Sequence, residues 1–379
     1  MKNLKKSILV LIISLSAAAG LFAANAEKSF LPNEENVKFL GRSYYDKDVL
    51  WMCFSSTGAA FNVDAKRLDV QIAGDSAANF RKDNGSAARI VVFVNGERKV
   101  DEMILKQDQT FTVFDENKNV KGEVLVLKVS ESANSIAGIK AIITDKKGSL
   151  SPAAKKDLKI EFIGDSITCG YGVDDLVASH HFATSTEDNT KSYAYKTAQA
   201  LNADYSMVSV SGWGVVSGYT NGPKNSDSVL PKIYDKIGFT WGNSFNGKQP
   251  KTINWDFSRF LPDFVVVNLG TNDNSYTKKD AKKISEFVEA YVDFLKVIRE
   301  KNPQAKIVCT LGLMGNDLFP AIEEAVEEYK KITDDSQVYA IELPAQRAAV
   351  DGIAADWHPS EKAHQRAADL LQEKLLFLK

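Results

Sequence analysis

Leu158-Lys159-Ile160-Glu161-Phe162-Ile163-Gly164-Asp165-Ser166-Ile167-Thr168 is the stretch that decides how the larger part of this chain folds. Leu158–Ile163 is an apolar run of strand length, and Gly164-Asp165-Ser166 then turns the chain sharply. The event recurs downstream. Met207–Val210, Phe264–Leu269, Lys306–Leu311 and Gln337–Leu343 are further apolar runs, alternating with helical stretches such as Lys279–Lys301 and Ser360–Leu378. Continuous apolar strands separated by helices imply a parallel sheet covered on both faces. Ligands of such sheets bind beyond the carboxyl ends of the strands, so the chemistry is expected just after Ile163, Val210, Leu269 and Leu343.

Upstream the period changes. From about Val37 to Thr144 short alternating runs are separated by turn signals, the pattern of an all-β sandwich. Arg67–Ile72 alternates, Ile90–Val94 runs into Asn95-Gly96, a strong hairpin signal, and Glu97–Leu105 returns. Thr110–Phe114, Val124–Val129 and Ile139–Thr144 continue the meander, which predicts roughly eight strands in two sheets. The polar, Gly- and Pro-containing stretch Asp145–Pro152 reads as a linker. At the start, Lys2, Lys5 and Lys6 precede the apolar run Ile8–Phe22, and Ala24-Asn25-Ala26 offers a small-x-small cleavage pattern. The expected organisation is therefore a signal peptide over 1–26, a β-sandwich over 27–152 and an α/β domain over 153–379, with the mature protein secreted or periplasmic.

Composition narrows the function. Of 379 residues 44% are hydrophobic and 25% charged, an ordinary globular balance that excludes disordered and fibrous readings. Without the three leading lysines the formal net charge moves from −2 to −5, which leaves no electrostatic footprint for nucleic acid or an anionic membrane. No stretch after Phe22 approaches the ~18 apolar residues of a membrane span. Cys53, Cys169 and Cys309 are too few and too scattered for a disulfide framework or a Cys-rich zinc site, and read as small buried side chains.

Three strand ends carry unusual residues. Ser166 stands at the first turn as either a nucleophile or the N-cap of the next helix. Ser211-Gly212-Trp213-Gly214 follows the second strand and is by itself an ordinary glycine turn. Asn268-Leu269-Gly270-Thr271-Asn272-Asp273 follows the third, where a lone Asn more often makes an Asx-turn. Near the C-terminus Asp356-Trp357-His358-Pro359-Ser360 precedes a helix. Of the four histidines, His180 and His181 lie in a polar loop and His364 falls within a helical pattern, which leaves His358 at the strand-to-helix rim.

These blocks, in this order, resemble those of the SGNH (GDSL) hydrolases. GDSITCGYG at 164–172, NLGTND at 268–273, DWHPS at 356–360 and a preceding β-domain are similar to carbohydrate esterase family 2, over nearly the whole mature chain. The resemblance implies a jelly-roll sandwich followed by a flavodoxin-like α/β/α hydrolase domain that deacetylates plant polysaccharides or oligosaccharides, without cofactor or metal. It implies Ser166 as nucleophile and His358 as base. The backbone N–H groups of Ser166 and Gly212 and the Asn272 amide would form the oxyanion hole, with Gly214 as the alternative glycine. The superfamily's orienting Asp stands three residues before the His, where this chain has Ala355. His358 is then oriented by a backbone carbonyl, that of Ala355, or by the side chain of Asp356. Asp165 reads as structural.

Aromatic placement suits a saccharide, whose C–H faces pack on rings. Trp213 and Trp357 flank proposed catalytic residues and are expected to bind substrate; Trp241 lies in the long segment 221–250, while Trp255 and Trp51 read as core. The rival readings are a lipase, lysophospholipase or thioesterase on the same four blocks, peptidoglycan deacetylation by the same chemistry, and a non-catalytic carbohydrate-binding protein. Polar residues around the site, notably 174–191, argue against an acyl-chain tunnel.

Overall fold

A computed structural model of the chain describes residues 27–81 and 84–379, so the expected signal peptide, residues 1–26, lies outside the described residues. The N-terminal strands are β1 (Glu27–Phe30), β2 (Lys38–Leu40), β3 (Tyr44–Asp46), β4 (Val49–Met52), β5 (Thr57–Gly74), β6 (Ala88–Val94), β7 (Glu97–Ile104), β8 (Asp108–Lys128), β9 (Ala137–Asp145) and β10 (Ser149–Pro152). All pair antiparallel in one curled sheet of order β3-β4-β9-β5-β8-β6-β7, with β1 added to β9 and with β2 and β10 added to β5.

This corrects the expectation of about eight strands in two sheets. β5 and β8 run for 18 and 21 residues, and β8 takes in Thr110–Phe114 and all but the last residue of Val124–Val129. The polar stretch between them looks like a break because Ala65 faces Val120 while Arg67 faces Asp115, which leaves Glu116–Asn119 bulged out of the ladder. With that length β5 pairs β2 and β10 along its first half and β9 along its second, so one ladder curls around a core that includes Phe61, Val70, Ile90, Val124 and Ile139. The expected linker is also corrected: Ser149–Pro152 is β10, in register with Asp64–Phe61 of β5.

The second sheet follows the apolar runs. β11 (Leu158–Gly164), β12 (Ala203–Ser209), β13 (Phe264–Asn268), β14 (Lys306–Leu313) and β15 (Val338–Ala345) are all parallel, in the order β12-β11-β13-β14-β15. This is the 2-1-3-4-5 order of flavodoxin-like sheets, with its switch point between β11 and β13. The helices are α1 (Ser166–Cys169), α2 (Tyr193–Ala200), α3 (Thr271–Thr277), α4 (Ala281–Lys301), α5 (Phe319–Thr333), α6 (Ala348–Asp351) and α7 (Glu361–Leu378). Asp280 caps α4 by accepting from the Lys282 and Lys283 N–H groups, and Phe287, Tyr291, Leu295 and Ile298 then form one apolar stripe. That stripe packs with α5 on the Val265, Val267 and Ile307 side of the sheet, while α2 and α7 cover the Ile160, Phe162 and Val308 side. A buried ion pair joins the two sheets: the Arg42 guanidinium, fully buried, donates to both Glu161 carboxylate oxygens on β11 at 3.1 and 3.2 Å and to the Tyr234 carbonyl. Tyr234 and Ser206 hydroxyls donate to the same carboxylate, so neither charge is left uncompensated.

Candidate active site

The ends of β11, β12 and β13 and the loop before α7 meet at one cleft. β11 ends at Gly164, where a Cβ would stand 2.0 Å from the Thr168 Oγ1 of the next helix, so the turn closes only around a bare backbone. Asp165 caps α1: its Oδ1 accepts the Ile167 N–H at 3.0 Å. The cap is thus Asp165, and the Ser166 hydroxyl is left for another partner. Its Oγ lies 2.9 Å from His358 Nε2.

His358 is neutral over the working range because burial pulls its imidazole down to about 4. Its Nδ1 faces the Asp356 carbonyl at 3.1 Å. A carbonyl only accepts, so Nδ1 carries the proton and Nε2 is left to accept from the Ser166 hydroxyl. The two expected orienters, the Ala355 backbone and the Asp356 side chain, are placed differently. The Ala355 carbonyl accepts the backbone N–H of His358 at 3.1 Å and bears on the ring as well, after that of Asp356. The Asp356 side chain points away from the ring and accepts from the Tyr171 hydroxyl at 2.7 Å, the Phe182 N–H at 2.9 Å and His181 Nδ1 at 3.0 Å. Burial raises the Asp356 carboxyl, but these donors outweigh it and hold the group below the usual carboxylate range.

The loop is strained. Asp356 and Trp357 are consecutive left-handed residues, φ 50° and 60°, which costs of the order of 1–3 kcal/mol each unless the surroundings impose it. The three donors on Asp356 impose it. Tyr171 also stacks on the His358 ring, centroids 3.9 Å apart and planes 23° apart, and Phe182 stacks on the other face of Tyr171 at 4.3 Å. Tyr171, Phe182 and His181 were not singled out by sequence; the TCGYG end of the first block is the one signal that bears on Tyr171.

The expected oxyanion donors sort themselves. Gly214 donates its N–H to the Ser228 carbonyl at 3.2 Å, whereas Gly212 lines the cleft and its N–H has no acceptor among the described residues. Gly212 has φ +78° in a turn closed by the Trp213 N–H on the Val210 carbonyl, a position that suits glycine. Ser166, at the first position of α1, has no intrahelical acceptor for its N–H. Asn272 lines the cleft as well, but its Nδ2 donates to Asp165 Oδ2 at 3.0 Å and to the Trp213 carbonyl at 2.9 Å, so an incoming oxygen must compete for it. Burial pushes Asp165 up to about 7.

The cleft encloses about 640 Å³, and Ser166, Ser211, Thr271, Asn272, Asn274 and Ser275 give it a polar wall. Met314 is its one aliphatic lining residue, and Tyr219 and Trp357, each 57% exposed, form the aromatic rim. Trp213 is corrected: it is 3% exposed and packs on Phe239 in the core, because its neighbours Gly212 and Gly214 turn the chain inward. Trp255 and Trp51 are buried as expected, and Trp241 is exposed. Among the described residues, one group of metal-ligating type lies together, Glu131, Cys169 and Glu187, and none of the three lines the cleft.

A serine hydroxyl on a neutral imidazole, beside unengaged backbone N–H groups at the carboxyl end of a parallel sheet, is the arrangement of a serine hydrolase. The chain belongs to the GDSL-like lipase/acylhydrolase family, whose model matches residues 162–366, more than half of its 379 residues. It is 37% identical over 230 residues to the cellulase/esterase CelE of Acetivibrio thermocellus, covering 59% of this chain but only 26% of that longer protein. It is 25% identical over 373 residues to an acetylxylan esterase/glucomannan deacetylase of Cellvibrio japonicus, covering 96% of this chain and 97% of the relative. In three dimensions it is similar to the acetyl xylan esterase Est2A of Butyrivibrio proteoclasticus, with a TM-score of 0.81, 25% identity, and 93% and 98% of the two chains covered.

Proposed function

We infer that this protein is a serine esterase that removes O-acetyl groups from plant cell-wall polysaccharides or their oligosaccharides. The observation that carries the reading is the cleft itself. A nucleophile and base in contact line a cleft whose wall carries hydroxyl and amide groups, whose rim is Tyr219 and Trp357 and whose one aliphatic side chain is Met314, which suits an acetyl group on a sugar better than a long acyl chain. The family and the relatives' substrates support the same chemistry.

In this reading Ser166 Oγ attacks the acetyl carbonyl while His358 Nε2 takes its proton, and the imidazolium returns that proton to the departing sugar oxygen. The charge that develops on the carbonyl oxygen is met by the Ser166 and Gly212 N–H groups, with the Asn272 amide as third donor shared with Asp165. The Asp356 carbonyl holds the Nδ1 proton, so a Ser-His dyad works without a carboxylate third member. Water repeats the sequence on the acyl-enzyme. The long path through β5 and β8 supports residues 27–152 as a jelly-roll domain and 153–379 as the hydrolase domain, and the pattern over 1–26 supports secretion.

The test is acetate release from acetylated xylan, acetylated glucomannan and acetylated peptidoglycan, run beside nitrophenyl acetate and nitrophenyl octanoate. Acetate release from a plant polysaccharide and preference for the acetyl ester are expected. Preference for octanoate would replace this reading with the lipase or thioesterase one, and release from peptidoglycan alone would replace the substrate.

A further inference from the structure

We propose that Glu131, delivered from the loop between β8 and β9 of the antiparallel sheet, is a positioning residue that aims the Gly212 N–H into the cleft. The proposal rests on the reading of Gly212 as an oxyanion donor.

Glu131 is 2% exposed and sits beneath the catalytic turn. Its Oε2 accepts the Ser211 N–H at 2.7 Å and lies 3.7 Å from the Sγ of Cys169, the last residue of the short helix that begins with Ser166. Cys169 in turn lies 3.2 Å from Ser209 Oγ, at the end of β12. One carboxylate from the β-domain thus touches both the nucleophile's helix and the turn that presents Gly212.

The carboxylate is itself held. The Glu131 N–H donates to Glu187 Oε2 at 2.7 Å, and the fully buried Lys128 ammonium donates to the carbonyls of Cys53, Ser130 and Glu131 at 3.0, 2.5 and 2.8 Å. A buried carboxylate carried on a clamped loop and next to a cation costs desolvation, which a purely apolar strut would avoid. What it supplies is a fixed acceptor for one peptide. The turn Val210–Trp213 is closed by the Trp213 N–H on the Val210 carbonyl, and Gly212 with φ +78° stands where a type II turn requires a positive φ. In types I and II the middle peptide, which bears the Gly212 N–H, points in opposite directions. Anchoring the Ser211 N–H to Glu131 holds the residue before that peptide, so it selects which way the Gly212 N–H faces. The β-domain therefore completes the active site from behind.

The test is steady-state kinetics of the full chain on nitrophenyl acetate with Glu131→Leu, Glu131→Gln and the double variant Glu131→Leu/Ser211→Pro. Loss of the acceptor in Glu131→Leu is expected to lower kcat by about 10- to 100-fold with KM within about threefold, the pattern of a misaimed transition-state donor. Glu131→Gln keeps an acceptor oxygen and should stay within about threefold of the parent kcat. Proline is suited to the residue before Gly212 in a type II turn, and Val210 before it directly follows β12, so Ser211→Pro should restore about tenfold or more of the activity lost in Glu131→Leu. If Glu131→Leu does not fold, Glu131→Asp, which withdraws the carboxylate by one methylene, carries the same expectation at about tenfold. A folded Glu131→Leu or Glu131→Asp protein with unchanged kcat overturns the proposal, as does an equal loss in Glu131→Gln or a loss confined to KM. Absence of esterase activity in the parent chain would instead overturn the esterase reading.

Discussion

Around Ser166 the chain is held by its own helix cap, by groups at the neighbouring strand ends and, from behind, by Glu131, whereas around His358 the loop is held through Asp356 by groups 174 to 185 residues away from it. On the serine side Asp165 caps its own helix, and the Asp273 carboxylate gathers the N–H groups of Val215, Val216 and Ser217 at 2.7–3.0 Å. On the histidine side two left-handed residues are pinned by Tyr171, His181 and Phe182, and the ring is packed against an aromatic stack. Strand-end geometry, braced by Glu131 from behind, builds the first; long-range contact on a strained loop builds the second. The first should therefore fail in chemistry when its reacting atoms are removed, and the second should fail in the placement of the imidazole.

The largest effect breaks the serine side. Ser166→Ala should lower kcat/KM by more than about 10⁴-fold on nitrophenyl acetate, because nucleophile and base act as a unit. Stability should hold within about 0.5 kcal/mol in thermal unfolding, since the Ser166 hydroxyl meets His358 and not the helix N-terminus. A hydroxyl that capped the helix would instead cost about 1 kcal/mol on removal. Substantial turnover by the folded variant would remove Ser166 from the mechanism.

Asn272→Ala comes next and shows how far that side joins fold to chemistry. Losing one oxyanion donor should lower kcat by about 10²- to 10³-fold with a smaller change in KM. The same change leaves Asp165 Oδ2 and the Trp213 carbonyl without their donor, so a stability loss of about 1–3 kcal/mol should accompany it. A rise in KM with kcat unchanged would make Asn272 a substrate-binding residue only.

The same contrast sets what was legible in the sequence. Gly164-Asp165-Ser166, Gly212 and Asn272 stand at the ends of apolar runs, where the sheet rule alone brings them together. His358 was legible as the one histidine at a strand-to-helix rim. Its orienter was not, because whether Ala355 or Asp356 turns its carbonyl to the ring depends on two positive φ angles that no side-chain pattern encodes. Trp213 was misjudged because adjacency to a catalytic turn does not say which way an indole leaves it. In the β-domain the ladder through β5 and β8 was hidden by the polar bulge Glu116–Asn119, and Glu131 by its place in an unremarked loop.

A smaller effect sharpens the histidine side. The base must be neutral, so kcat/KM should fall as the pH drops through about 4 and stay level above it, well below the ordinary histidine value of 6.5. Tyr171→Leu removes the ring stacked on His358 and the hydroxyl on Asp356. The imidazole should then be both misplaced and better hydrated, lowering kcat by about 10- to 100-fold and moving the acid limb up toward 6.5. A pH profile is the decisive readout, because general loosening of the fold would lower the plateau without moving the limb.

The smallest effect belongs to the residue that a serine triad would make indispensable. Where a buried carboxylate orients the catalytic histidine, changing it to the amide costs of the order of 10⁴ in kcat, because the imidazole takes the wrong tautomer. Here the Asp356 carbonyl accepts the Nδ1 proton, and Asp356→Asn leaves that carbonyl in place. Asn also tolerates the left-handed conformation that this position adopts at φ 50°. Its side-chain oxygen in the Oδ2 place can still accept both the Phe182 N–H and the Tyr171 hydroxyl, and its amide then faces His181 Nδ1, which accepts in the other tautomer, so the loop keeps most of its ties. Asp356→Asn should therefore retain activity within about tenfold of the parent, an allowance of roughly 1.4 kcal/mol for the changed contacts. Asp356→Ala keeps the carbonyl but loses every side-chain tie on a strained turn, so it should fall below Asp356→Asn in both kcat and thermal stability. A loss near 10⁴ in a well-folded Asp356→Asn protein would mean that the carboxylate turns to the ring during turnover, and the two sides of the cleft would then differ less than their resting geometry indicates.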